Sequence, residues 1–250
     1  LFEYFAAMEL PPEPTMYDHL ALSLRPKDVV ATFNWDPFLV LAMARNQHVT
    51  KMPTSLFLHG NVAVGHCMQH KPASIGPRGN RCQRCGQALE TSRLLYPVAQ
   101  KSYNSDPFIA KMWELVQSVL KGAYLVTFFG YSAPKTDVEA VELLKSGWGP
   151  ATDRVYEEIE VIDIKDEDAV CATWQPFIHS HHYTYTNSFY DSIIANHPRR
   201  SCDAMFLQFM DAEWIEANPL PRDATWSELH AWFEPLLVDE RDYASKRAAN

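Results

Sequence analysis

The sequence predicts an α/β fold: a parallel sheet flanked by helices, interrupted by a small metal-binding module and followed by a helical C-terminal region. Three observations carry this reading. Four short apolar runs, 28–33, 55–58, 124–129 and 159–164, each close on polar residues. Helical patterns fall among them, and alternation of strand and helix is the mark of a parallel sheet. Two pairs of metal-ligating side chains sit on tight turns between the second and third runs.

The first three runs are nearly continuous in apolar character, as strands covered on both faces are. The fourth alternates at its start, Ile159-Glu160-Val161, which predicts a place nearer the sheet edge. Each run is followed by a polar cluster: Asn34-Trp35-Asp36, His59-Gly60, Gly130-Tyr131-Ser132 and Lys165-Asp166-Glu167. In open parallel sheets the ligand crevice lies beyond the carboxyl ends of the strands. Four such clusters are therefore expected to converge on one pocket.

The helices are legible from their start signals. Asp106-Pro107 reads as a cap followed by proline at the first helical position. Phe108, Ile109, Met112, Trp113, Val116, Val119 and Leu120 then fall on one face at helical spacing. Thr136-Asp137-Val138-Glu139 has the form of a capping box and opens a helix through Leu143 and Leu144. That helix begins just after Ser132, so its positive end is expected to face the crevice and to suit a phosphate or ribose. Beyond about Thr184 the pattern turns helical, with Trp214, Trp226, Leu229, Trp232 and Phe233 as core candidates and Pro219-Leu220-Pro221 parting the last two helices.

The metal-binding module is the strongest single motif. Cys67-x2-His70, eleven residues, then Cys82-x2-Cys85-Gly86 puts two ligand pairs on two tight turns. Four side chains so placed can reach one tetrahedral ion, and a Cys3His set with no spare position indicates structural zinc rather than a catalytic ion. His66 competes for the histidine place, but the two-residue spacing favours His70. Arginines and lysines between 61 and 101 compensate the thiolates or meet an anionic ligand. Cys171 and Cys202 lack partner spacing and read as ordinary thiols.

Composition sets the outer bounds. The chain has 250 residues, 22 basic against 31 acidic side chains and a net charge of −9, which argues against general nucleic-acid affinity. At 47 % hydrophobic and 12 % aromatic it can build a sizeable core. No apolar run approaches the ~18 residues of a membrane span, so no membrane partner is expected. Residues 1–20 are acidic and proline-marked, so no signal peptide is expected there. Five cysteines, four of them unlike a disulfide set, suit a reducing cytoplasm. The nine glycines include none before Gly60. A dinucleotide domain needs glycines at its first strand–helix turn. Either this is no dinucleotide domain or its first unit lies upstream of Leu1.

At this point a resemblance becomes specific. Thr32-Phe33-Asn34-Trp35-Asp36, Leu58-His59-Gly60, the paired metal ligands, Phe129-Gly130-Tyr131-Ser132 and Thr136-Asp137 follow one another in the order of the sirtuin fold. The segment Leu95-Tyr96-Pro97-Val98, with Lys101-Ser102-Tyr103 and Asp106-Pro107, resembles the divergent sirtuin-like NAD hydrolases of bacteria. The likeness covers about residues 28–165. It implies a Rossmann-like parallel sheet of the sirtuin type, with 1–183 as the NAD-binding domain, a zinc module at 61–101 inserted in it, and 184–250 as a helical extension.

Carried over residue by residue, the resemblance implies that Asn34 orients a water or the nicotinamide ribose and that Asp36 recognises the carboxamide. It implies His59 as the catalytic base at the ribose hydroxyls. Thr32, Gly130 and Ser132 would frame the nucleotide, and Asp163 or Lys165 would lie near the adenosine ribose. The chemistry suits these residue types on its own account. Breaking the nicotinamide–ribose bond makes an oxocarbenium-like centre, which calls for fixed dipoles and a base of near-neutral pKa. Histidine, at about 6.5, is that base. Each residue also has a plain structural reading: Asn34 or Asp36 as a helix cap, His59 as a satisfied histidine at a strand end. The triplet His179, His181 and His182 reads as a loop.

Two departures from the pattern stand out. The glycine-rich phosphate loop that should precede Asn34 is absent, which predicts weak NAD+ binding by this stretch alone, and Trp35 replaces a smaller residue. Three functions follow as expectations. The first is an NAD+ hydrolase, as used in bacterial antiphage defence, with a homo-oligomer or defence-complex partner. The second is an NAD-dependent protein deacylase. The third is a binding or assembly module with a degenerate site.

Overall fold

A computed structural model describes residues 1–70, 75–96, 103, 105–131 and 137–248. The N-terminal stretch holds helices α1 (Phe2–Ala6) and α2 (Met16–Ser23). Strand β1 (Val29–Thr32) leads into α3 (Phe38–Asn46) and returns as β2 (Thr54–Phe57), paired parallel from Val29↔Thr54 to Thr32↔Phe57. The carboxyl of Asp36 accepts the Phe38 amide at 3.1 Å, an Asx turn at the entry to α3, whose cap position is Pro37.

The chain then forms a small antiparallel sheet, β3 (Val64–His66), β4 (Ile75–Pro77) and β5 (Glu90–Thr91), with β3 in the middle. Gly65 lies where a Cβ would come within 2.9 Å of the Leu89 Cβ, so this central position requires a bare backbone. Next comes α4 (Pro107–Gly122), whose start follows its sequence signal. Asp106 Oδ1 accepts from Phe108 N at 2.8 Å and Ile109 N at 3.1 Å, with proline at the first turn. Phe108, Ile109, Met112, Trp113, Val116 and Leu120 form its buried face; Val119, expected there too, falls off the stripe and is exposed.

Strand β6 (Leu125–Phe129), helix α5 (Val138–Trp148), β7 (Glu158–Ile162), α6 (Glu167–Trp174) and β8 (Tyr183–Thr186) build a second parallel sheet in the order β6-β7-β8. Two expectations are corrected here. The alternating run at 159–164 is no edge: β7 is the middle strand and buried at every position. Its polar members are carboxylates with partners inside the fold. Glu158 Oε1 meets His182 Nδ1 at 2.8 Å, and Glu160 accepts from Thr127 Oγ1 at 2.8 Å and the Ile193 amide at 2.6 Å. Conversely, β1 and β6, whose apolar runs read as covered on both faces, stand at sheet edges and are only half-buried. Among the described residues the parallel strands form two sheets rather than one.

Two apolar clusters bridge those sheets. One gathers Leu56, Leu58, Trp113, Ile159 and Trp174, with Val29, Phe33, Val126 and Phe128 against it; α4 and α5 supply its cover. The other joins Leu22 of α2, Val30 of β1 and Ile162 of β7 to α7 (Ile193–Asn196) and α9 (Trp226–Ala248), between which α8 (Ser201–Phe206) lies in the chain. Leu229 and Phe233 of α9 are fully buried there, and Trp226 and Trp232 pack against it. Trp214, expected in the core, is instead 71 % exposed, in a stretch without regular structure. The buried Arg199 ties this region to α2: its guanidinium donates to the Leu22 and Leu24 carbonyls and pairs with Glu240. Strand β8 runs across the expected boundary at 183/184, and the helices after it share a core with the strands before it. Among the described residues no helix is long and apolar enough to cross a membrane.

Candidate functional site

The carboxyl ends of β1, β2 and β6 meet the start of α5. Phe33, just past β1, stacks on Tyr131, just past β6, with centroids 4.1 Å apart. The same ring sits edge-on to His59, just past β2, at 4.8 Å. His59 is 8 % exposed and enters a chain of polar contacts: its Nε2 lies 2.8 Å from the Tyr103 hydroxyl, which donates to Asp137 Oδ1 at 2.8 Å. Asp137 Oδ2 lies 3.7 Å from His59 Nε2 and accepts from the Tyr131 hydroxyl at 3.4 Å. Burial, reinforced by Asp137, pushes both phenols far above the ordinary tyrosine range, so both remain protonated. Trp113 of α4 closes the base of the site, donating its indole N–H to the Leu58 carbonyl at 3.1 Å and tilting against Tyr103.

A second clamp holds the loop after β1. Asn61 is fully buried, and its side-chain amide donates to the Asp36 carbonyl at 2.6 Å and the Asn34 carbonyl at 3.4 Å. Its own Oδ1 accepts from the Ala63 amide at 2.9 Å. The backbone of Asn61 is stapled to Ser92, whose hydroxyl accepts from Asn61 N at 2.9 Å and donates to Asn61 O at 2.8 Å. Within the loop, Thr32 Oγ1 accepts the Asn34 amide at 3.0 Å. Asn34 is exposed at the mouth of the site. Burial raises the Asp36 carboxyl above the ordinary carboxylate range, opposed by the Phe38 amide bond. Trp35 is wedged between Phe5 and Tyr96.

The expected residues thus divide. Thr32, Asn34, Asp36 and His59 lie around the meeting of β1 and β2. Gly130 ends β6 with φ +62° and donates its amide to the Ile162 carbonyl at 2.9 Å. Asp163 caps the turn after β7 by accepting the Lys165 amide at 3.0 Å, toward β8, and Lys165 is exposed. Ser132 and Thr136 lie outside the described residues, as do Val98, Lys101 and Ser102. Sequence reasoning missed the parts played by Tyr103, Asp137 and Asn61. Tyr103 and Asp137 are 44 and 78 positions from His59, so no local pattern links them; Asn61 had a signal, since it directly follows the strand-end His59-Gly60.

The metal ligands do come together. The ligand atoms of Cys67, His70, Cys82 and Cys85 all lie within 4.8 Å of one another. Cys67 Sγ is 3.6 Å from both His70 Nδ1 and Cys85 Sγ, and Cys82 Sγ is 3.6 Å from His70 Nδ1. A tetrahedron with Zn–S of about 2.3 Å and Zn–N of about 2.0–2.1 Å has edges of roughly 3.5–3.8 Å; the three separations of 3.6 Å match it, so these residues could hold zinc. Gly86, at φ +71°, turns its amide back to the Cys82 carbonyl at 2.8 Å, and Arg81 donates to the Gly86 carbonyl. His66, the competing histidine, is not in the cluster but stacks on Phe108.

A separate cavity of about 310 Å³, between Pro12, Arg45, His48, Trp226 and His230, shares no residue with the His59 cluster. No family model matches the chain, and no curated protein does. Among solved structures, one described as "Structural Basis for the Mechanism and Regulation of Sir2 Enzymes" is similar at 14 % identity and a TM-score of 0.37. The likeness covers 73 % of this chain and 66 % of that one.

Proposed function

We propose that this chain hydrolyses NAD+ at the nicotinamide–ribose bond, giving nicotinamide and ADP-ribose. The observation that carries the reading is the buried His59, held between aromatic walls and a tyrosine–aspartate pair at the meeting of three strand ends. In the reaction, nicotinamide leaves with the electron pair of the C1′–N bond. Water adds to the resulting oxocarbenium-like carbon and gives up a proton to a base. His59 is that base. Asn34, on the loop clamped by Asn61, orients the water or the ribose, and Asp36 recognises the carboxamide. Thr32, Gly130 and Ser132 line the nucleotide, with Asp163 toward the adenosine. Zinc bound at Cys67, His70, Cys82 and Cys85 is structural and leaves no coordination position for substrate. In the cell this activity would deplete NAD+, as antiphage defence requires.

The test is direct. Purified protein is mixed with millimolar NAD+, and nicotinamide and ADP-ribose are followed by liquid chromatography. Release without any added peptide is expected, and His59→Ala and Asn34→Ala lower it by roughly 10²-fold or more while leaving the circular dichroism spectrum unchanged. Release only with an acylated peptide would convert the reading to deacylation. No turnover under either condition would refute both.

A further inference from the structure

We infer that Asp137 and Tyr103 set the tautomer of His59, holding its ring proton on Nε2 and placing the basic lone pair on Nδ1. A phenol has one proton to give. The Tyr103 hydroxyl is 2.8 Å from Asp137 Oδ1 and 2.8 Å from His59 Nε2. A carboxylate offers only lone pairs, so the phenol proton goes to Asp137. Toward His59 the phenol oxygen then presents lone pairs alone, and the second contact is a hydrogen bond only if Nε2–H donates. Neutral imidazole carries one N–H, which leaves Nδ1 as the basic atom.

The surroundings keep this arrangement in place. Tyr103 is fully buried, and its raised pKa keeps the phenol from ionising and reversing the chain. Tyr131 donates to the other oxygen of Asp137, so both carboxyl oxygens face phenol donors. The His59 ring lies parallel to that of Tyr103, at 16° and 5.7 Å, and is flanked by the edge-on Phe33. Its Nε2 is 3.7 Å from Asp137 Oδ2, beyond hydrogen-bond reach yet near enough for the carboxylate to stabilise an imidazolium. Tyr103 and Asp137 are therefore positioning residues that act through His59. Only the use of Nδ1 as the base for water rests on the hydrolase reading; the tautomer does not.

The test is a two-bond proton–nitrogen correlation spectrum of 15N-histidine-labelled protein, above the pH of imidazole titration, with His59 assigned by His59→Gln. Wild-type His59 is expected as the Nε2–H form. Asp137→Ala removes the acceptor, so the Tyr103 hydroxyl turns to Nε2 and the ring proton moves to Nδ1. Tyr103→Phe lowers the Nε2–H population, while Tyr131→Phe leaves it unchanged. An Nδ1–H form in the wild type overturns the inference, and so does an unaltered Nε2–H form in folded Asp137→Ala. If Asp137→Ala does not fold, the wild-type spectrum and Tyr103→Phe decide. The spectrum needs no substrate, so it stands whether or not NAD+ is turned over. Where nicotinamide is released, Asp137→Ala lowers kcat roughly 10²-fold with little change in KM. An unchanged kcat with a moved proton would remove Nδ1 as the base.

Discussion

Gly60 offers the sharpest test of how the site is held. It joins His59 to Asn61 with φ +80°, and a Cβ there would stand 1.9 Å from the Arg93 carbonyl oxygen and 2.9 Å from its carbon. Gly60→Ala therefore carries two costs. An L-residue in the left-handed region costs about 1–2 kcal/mol. Relieving the overlap means parting residues 59–61 from 92–95 by about an ångström, since carbon–oxygen contacts do not close much below ~3.2 Å. Those two segments are zipped by Leu95 N to His59 O at 2.9 Å and by both bonds of the Ser92 hydroxyl to Asn61. Losing two of these inside the protein adds about 2–4 kcal/mol.

The sum is about 3–6 kcal/mol, and at roughly 2–4 °C per kcal/mol for a chain of this length the melting temperature falls by about 6–24 °C. Gly130→Ala is the control. Its φ is +62° and, among the described residues, nothing lies within 4 Å of the added carbon, so only the conformational cost of about 1–2 kcal/mol applies, about 2–8 °C on the same scale. Thermal melts followed by circular dichroism compare the two. Melting temperatures within about 2 °C of each other would refute the close-approach reasoning, because the variants differ chiefly in the space around Cβ.

Asn61→Ala removes the clamp on the Asp36 and Asn34 carbonyls; urea titration should show a loss of about 1–3 kcal/mol, and nicotinamide release should fall through a looser loop. Metal analysis should give one zinc per chain, and chelation or Cys82→Ser should lower the melting temperature, whereas His66→Gln should keep the metal. Glu160 sits inside the second parallel sheet, where burial raises its carboxyl above the usual value of 4.5, opposed by its bonds to Ile193 N and Thr127. The folded protein thus holds this proton more tightly than the unfolded chain does. The associated stability is fully present below the unfolded value and lost as pH rises through the raised one. Glu160→Gln should flatten that part of the pH–stability curve; equal slopes in mutant and wild type would refute it.

What the sequence made legible was what chemistry keeps local. The metal set spans 19 residues, Cys67 to Cys85, on two turns, and its four ligand atoms meet as their spacing predicts. The strand ends are equally plain, because each apolar run stops at a polar cluster. What was hidden depends on distant partners. Tyr103 reaches His59 only because α4 packs under β2, with Trp113 bonded to the Leu58 carbonyl. Glu160 made β7 read as an edge, because nothing near it in the chain announces Thr127 or the Ile193 amide.

The opposite misreading, of β1 and β6 as central strands, has a physical meaning of its own. In the doubly wound order 3-2-1-4-5-6 the first strand lies between the second and the fourth. Among the described residues β1 pairs only with β2, and β6 only with β7, while Val29 of β1 and Val126 of β6 share one apolar cluster and Val30 of β1 meets Ile162 of β7 in the other. The two edges thus share a core on one face, with no described strand between them. Their continuous apolar character fits the interior of a sheet and is found at its margins. In that order a glycine-rich phosphate-binding turn follows the first strand, and the turn after β1, residues 33–37, contains no glycine. On the proposed reading, the residues that meet at His59 serve the nicotinamide–ribose end of the nucleotide, where the bond is broken.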